Sequence, residues 1–107
     1  MGYINMSKHK IAMRINRIRG EVMVAACDRE LLGKKFEEGE FHIEVKKDFY
    51  FESYVSDKTF LNSMKIATIA NLVGEHVIQL AIKEGYVDKD AVLRIDGVPH
   101  AQMCLLF

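Results

Sequence analysis

One segment sets the strongest limit on how this chain can fold: Val22-Met-Val-Ala-Ala-Cys27, an almost unbroken apolar run between Gly20 and Asp28. A strand with one wet face alternates in polarity, whereas a strand covered on both faces need not, so this run is expected at the centre of a sheet. Just upstream, Ile11, Met13 and Ile15 alternate with Lys10, Arg14 and Asn16, the period of a half-buried strand. Gly20 supplies the turn, and the two strands read together as an antiparallel hairpin.

The rest of the chain fills out a mixed fold. Asp28 stands where a helix N-cap belongs, before Arg29-Glu-Leu-Leu32 and the stop residue Gly33, which predicts one short helical turn. Lys34–Glu40 reads as a charged loop turning at Gly39. Phe41, Ile43 and Val45 alternate with His42 and Glu44, giving a third strand. Phe49-Tyr-Phe51 and Tyr54-Val55 fit either a strand or an ordered loop at the sheet edge.

From Ser56 to Glu84 helical spacing dominates, with Ile66, Ile69, Ala70, Val73, Val77, Leu80 and Ala81 drawing one apolar stripe. Ser56 or Asp57 can cap its start and Gly85 can end it. A single helix of that length would run about 40 Å. A break is therefore expected near Thr68, which could cap the second helix, in preference to Gly74. Val92–Ile95 is a fourth strand, Asp96-Gly97 a turn, and Ala101–Phe107 a fifth. The expected fold is α+β: an antiparallel or mixed sheet of about five strands with the 56–84 helical segment packed on one face. Residues 1–9 are set apart as a loose leader, and 10–107 as a single domain.

With 107 residues, half of them hydrophobic and only one proline, a folded globule is expected rather than disorder. No run approaches the ~18–20 apolar residues of a membrane span, so no membrane partner is expected. Cys27 and Cys104 lie far apart, and reduced thiols in a cytoplasmic protein are the expectation. The net charge is zero, yet residues 1–20 hold Lys8, Lys10, Arg14, Arg17 and Arg19 without an acid, while 21–57 hold twice as many acids as bases. An acid-free basic strand is a candidate nucleic-acid surface through Arg14, Arg17 and Arg19. The bland alternative is a solvated face.

Two groups of polar residues stand out in the last third. Thr68, Asn71, Glu75 and Gln79 recur at helical steps and would share one helix face, ordinarily the solvent side. Pro99 fixes the backbone beside His100, whose imidazole titrates near neutrality, with Gln102 two residues on. Asn71, Glu75, His100 and Gln102 form the candidate polar site. Catalysis by Cys27 would need a base such as His100 beside it, and a buried inert thiol is the commoner fate of such a cysteine. The histidines are scattered, without metal-ligand spacing, and there is no phosphate-binding glycine loop. No metal and no cofactor is expected.

The segments Glu21-Val-Met-Val-Ala-Ala-Cys-Asp28, Glu30-Leu-Leu-Gly-Lys-Lys-Phe36 with Glu38-Gly-Glu40, Ala70-Asn-Leu-Val-Gly-Glu75 and Gly97-Val-Pro-His-Ala-Gln102 resemble an archaeal family known only as domain of unknown function 424. The resemblance begins near Lys10 and leaves out residues 1–9. It implies a small stand-alone cytoplasmic protein and carries no catalytic roles. It also implies that the family's signature falls on Cys27, Asp28, Gly33, Lys34, Gly39, Asn71, Gly74, Glu75, Gly97, Pro99, His100 and Gln102. The functional expectation is a non-enzymatic binding module linked to RNA, a ribonucleoprotein or the translation machinery. The alternatives are a small enzyme using His100 with Glu75 or Asn71 in a polar pocket, and an obligate homo-oligomer that uses these motifs as its interface.

Overall fold

The computed structural model describes residues 8–105 and shows an α+β architecture built on a six-stranded mixed sheet. In chain order the elements are β1 (Ile11–Ile18), β2 (Glu21–Asp28), β3 (Lys35–Glu38), β4 (Phe41–Glu44), α1 (Lys47–Tyr50), β5 (Ser53–Val55), α2 (Asp57–Met64), β6 (Ile69–Val73), α3 (Glu75–Lys83), β7 (Leu93–Ile95) and β8 (Val98–Cys104). The sheet order is β5-β1-β2-β6-β8-β7, with β3 and β4 forming a separate hairpin. The expected β1–β2 hairpin is present, and β2 lies inside the sheet between β1 and β6, as its apolar run requires. Of the segment set apart as a leader, residues 1–7 lie outside the described residues, as do 106 and 107 of the expected last strand.

The main departure from the sequence reading is at residues 69–73. The 56–84 segment does supply helices, α2 and α3, but Ile69–Val73 between them is a strand. It pairs parallel to β2 and antiparallel to β8. A short apolar run matches a buried strand as well as a buried helix, and only its neighbours decide. Both flanking strands offer ladder hydrogen bonds to this segment, in which Ala70, Leu72 and Val73 are buried. Thr68 accordingly caps no helix. Its Oγ1 accepts from the Val22 amide at 2.8 Å and its hydroxyl donates to the Val22 carbonyl at 3.2 Å, fastening the start of β6 to β2. The expected stripe therefore dissolves: Ala70 and Val73 fall on opposite faces of β6, and Ile66 is half exposed. Thr68, Asn71, Glu75 and Gln79 share no helix face.

Smaller differences have local causes. The charged stretch read as a loop contributes β3, which pairs with β4 across a turn at Gly39 (φ +61). β4 thus belongs to that hairpin and not to the main sheet. The aromatic stretch divides into α1 and the edge strand β5. Ser56 caps α2 as expected, accepting from the Thr59 amide at 3.1 Å. Asp96 (φ +52) and Gly97 (φ +78) make the two-residue turn between β7 and β8, whose doubly left-handed backbone suits a hairpin.

The sheet's two faces are covered differently. On one, Phe60 and Met64 of α2 with Val77, Ile78 and Ala81 of α3 pack over Ile11, Val24, Ala26, Ala70 and Leu72. On the other, the β3–β4 hairpin and α1 bring Val45 and Tyr50 against Ala12, Ala25, Cys27 and Val73.

Asp28 explains how the helix side is anchored. A helical turn does follow it, a 3-10 turn over Arg29–Leu31, but the Asp28 side chain does not cap that turn. Its carboxylate instead accepts from the amides of His76 (2.9 Å) and Val77 (3.0 Å), satisfying the exposed N-terminal donors of α3 from another strand. Gly74 makes the approach feasible. A Cβ there would sit 2.6 and 2.7 Å from the Asp28 carboxylate oxygens, and its backbone (φ +116, ψ 152) is nearly glycine-only territory. The Gly74 amide meanwhile donates to the Pro99 carbonyl at 2.9 Å.

Two stability outcomes follow. Asp28→Ala should lower unfolding free energy by about 2 kcal/mol, since it strips a cap and strands two amides. Gly74→Ala should cost about 3 kcal/mol, because backbone strain is added to displacement of the carboxylate. Chemical denaturation measures both, and a change within experimental error for either variant would contradict the anchoring role. The pH dependence has a definite sign. Burial raises the Asp28 pKa above its ordinary 3.8, outweighing the lowering by its two backbone hydrogen bonds. Its contribution is then fullest below 3.8 and declines as pH rises through the raised value. The stability margin of the parent over Asp28→Asn should narrow across that window.

Candidate functional site

Strand register gathers three of the four candidate residues on one face. Asn71 of β6 lies opposite Gln102 of β8, and Val73 lies opposite His100. Directly paired residues project to the same side, here the side that carries the hairpin and α1. The amides bond to each other: Gln102 Nε2 donates to Asn71 Oδ1 at 3.0 Å, and Asn71 Nδ2 approaches Met23 Sδ at 3.9 Å. His100 is half-buried beside them. Burial alone pushes its pKa below the ordinary 6.5, so the ring is neutral at neutral pH.

These three residues share a cleft of about 400 Å³ between the sheet and the β3–β4 hairpin, within the range of small-ligand sites. Its other walls come from two segments expected as strands, 41–45 and 92–95, and from the aromatic stretch expected as strand or ordered loop. Phe41 and Ile43 enter from β4, Phe49 from α1 and Leu93 from β7. Phe41 is 57% exposed, an aromatic ring held at the mouth of the cleft. The Glu38 carboxylate accepts from the Asp96 amide at 2.7 Å and so ties the hairpin to the β7–β8 turn on the far wall. The alternation of Phe41, Ile43 and Val45 was the available signal for this wall; what the sequence lacked was its partner strand.

Glu75 is elsewhere. It opens α3, and its carboxylate is held by Arg94 at 2.7 and 3.2 Å. Arg94 follows Leu93, which pairs with His100, so Arg94 projects to the opposite face of the sheet and takes Glu75 with it. The Arg94 hydrogen bond draws the Glu75 pKa below its ordinary value, which marks it as a charged partner in an exposed ion pair. The proposed grouping of His100 with Glu75 is therefore not formed, whereas Asn71, His100 and Gln102 are together.

Cys27 shares a row with His100 but not a contact. Val73 lies between them, and two strand spacings put them about 10 Å apart. Burial first, and the adjacent Asp28 charge second, push the Cys27 thiol up to about 12. The thiol is thus protonated and inert at neutral pH. Tyr50, packed in the same layer, is also pushed up to about 12 by burial.

The three arginines of β1 do not act as one patch. Arg14 projects to the cleft side in the same row as Asn71 and Gln102, with Ala25 between Arg14 and Asn71. Arg17 alternates to the helix side, and Arg19 sits in the turn with φ +51. Among the described residues no group of three or more His, Cys, Asp or Glu side chains is placed to hold a metal ion, and no helix is long and apolar enough to cross a membrane.

A comparison with solved structures finds the same fold in an uncharacterized conserved protein from Methanopyrus kandleri. The TM-score is 0.72 at 22% identity, over 87% of this chain and 89% of that one. A search of curated proteins gives no match. Residues 16–106 match the family described as protein of unknown function (DUF424), and the chain belongs to that family.

Proposed function

We propose that this protein is a non-enzymatic binding module for single-stranded RNA, holding an unstacked base in the cleft between the sheet and the β3–β4 hairpin. The observation that carries this reading is the Asn71–Gln102 amide pair on the cleft floor, flanked by neutral His100 and by the rings of Phe41 and Phe49. The pair uses one N–H and one carbonyl between its members. Gln102 Oε1 and its second N–H are not used within the pair and would offer a ligand the donor–acceptor alternation of a base edge. An exposed ring such as Phe41 offers the stacking surface that single-stranded recognition uses. Arg14 lies in the same row two strands from Asn71, about 10 Å away, where it can meet a backbone phosphate.

Recognition by hydrogen bonding is favoured over proton transfer because, among the described residues, no carboxylate is bonded to His100, and Glu75 is engaged by Arg94 on the other face. An acid–base dyad would need a second titrating group within hydrogen-bond reach.

Anisotropy titrations with labelled single-stranded RNA at low salt test the proposal. Asn71→Leu should weaken binding about tenfold, the scale of a lost base-edge contact, while the melting temperature stays close to that of the parent. Phe41→Ala should weaken it by about 1–3 kcal/mol of stacking. Arg14→Ala should flatten the salt dependence by about 0.7 in log–log slope, one phosphate contact on a single strand. No retention of RNA at low salt, or binding indifferent to Asn71→Leu and Phe41→Ala, would remove the proposal.

A further inference from the structure

Strand β1 is covered on its outer side for less than half its length. β5 pairs with it only at Ile11, Ala12 and Met13. Just before β5, the Glu52 amide donates to the Met13 carbonyl at 2.9 Å, the last bond to this edge. From Arg14 to Ile18, β1 is paired with β2 alone among the described residues. The register shows which main-chain groups this leaves open. Arg17 lies opposite Val22, yet the Val22 amide and carbonyl are engaged by Thr68 at the start of β6. In an antiparallel pair, bonded and non-bonded partners alternate along the strand. Arg17 and, two residues earlier, Ile15 therefore turn their N–H and C=O groups away from β2, on the side where Met13 meets Glu52. Ile15 and Arg17 have no ladder partner there among the described residues.

The open edge has a definite chemistry. Arg17 is exposed on the helix side of the sheet, and neither Arg17 nor Arg19 forms an ion pair among the described residues. On the cleft side Ile18 is 60% exposed, and with Met23 and Ile69 it borders a hollow of about 270 Å³. An open edge is a template for an extended chain, and charge decides which chain it accepts. A second copy of this protein is a poor match. With Met13 already taken by β5, the registers left for two antiparallel β1 edges place Arg17 beside an arginine of the other copy, directly or diagonally, which is repulsive. An extended segment with a carboxylate at that place is attracted instead.

We propose that the outer edge of β1, from Arg14 to Ile18, binds an extended segment of a partner protein as an added strand in line with β5. The segment carries an acidic side chain opposite Arg17 and an apolar one on the other face, toward Ile18. Main-chain bonds to Ile15 and Arg17 supply affinity. The acidic and apolar side chains, which alternate between faces as in any strand, supply selectivity. The proposal does not rest on RNA binding in the cleft, since Asn71 and Gln102 lie on β6 and β8, inside the sheet.

The test is an anisotropy titration of the whole chain with a short labelled peptide, capped at both ends, that alternates valine and glutamate. A second peptide alternates valine and lysine. Saturable binding of the glutamate peptide is expected, with the lysine peptide about tenfold weaker or more, the scale of one close charge pair. Arg17→Glu should reverse that preference. Lys89→Glu makes the same charge change at an exposed site near the opposite edge strand, β7, and should leave both affinities unchanged. Amide hydrogen exchange tests strand addition separately from charge: the peptide should slow exchange at Ile15 and Arg17 and leave the Asn16 amide, which faces β2, as it was. Absence of saturable binding, equal affinity for the two peptides, or binding without protection of Ile15 and Arg17 would overturn the proposal. Protection of those amides that rises with protein concentration in the absence of peptide would overturn it too, in favour of a second copy.

Discussion

The carboxylate of Asp28 at the N-terminus of α3 is the contact on which most of the arrangement depends. It joins the end of β2 to the start of α3, two points almost fifty residues apart in sequence, through the amides of His76 and Val77. Gly74 stands at the same junction, with a backbone that excludes side chains, and its amide reaches the Pro99 carbonyl of β8. Strands β2, β6 and β8 and helix α3 therefore meet at one point. A shift of β6 by one residue would break these bonds and turn Asn71 to the helix face. The register that assembles the cleft floor is thus held by a capping interaction on the other side of the sheet.

Uneven coverage of the two faces makes a site available. The helix face is closed by α2 and α3 over a continuous aliphatic layer. The other face carries a two-stranded hairpin and one turn of helix, which cover the end holding Ala12, Cys27 and Val73. Where that cover stops, the sheet presents Asn71, His100 and Gln102 to a cleft with aromatic walls. Polar side chains at the margin of a core reach both water and a ligand, whereas deeper in the same layer burial holds the Cys27 thiol and the Tyr50 hydroxyl more firmly in their neutral forms.

What the sequence disclosed follows how local its determinants are. The β1–β2 hairpin, the Ser56 cap, the Gly39 turn and the Asp96-Gly97 turn are decided within a few residues, and all were legible. Ile69–Val73 was not, because its apolar spacing suits either helix or strand and the choice belongs to β2 and β8. The same error placed Asn71 and Glu75 on one helix face. Asn71, His100 and Gln102 were singled out for their chemistry and do meet, but through strand pairing. Asp28 was recognised as a capping residue and assigned to the wrong helix, since nothing local points from residue 28 to residue 76. The aromatic walls of the cleft are long-range products of the same kind.

The central functional claim is that ligand recognition occurs at the amide pair on the cleft floor. The most direct measurement follows the side-chain amide signals of Asn71 and Gln102 and the ring signals of His100 by NMR as unlabelled single-stranded RNA is added. The account predicts that these three shift together and saturate, with Phe41 moving alongside them. Saturable shifts confined to Arg17, Arg19 and the β1–β2 turn, with the amide pair unmoved, would contradict it.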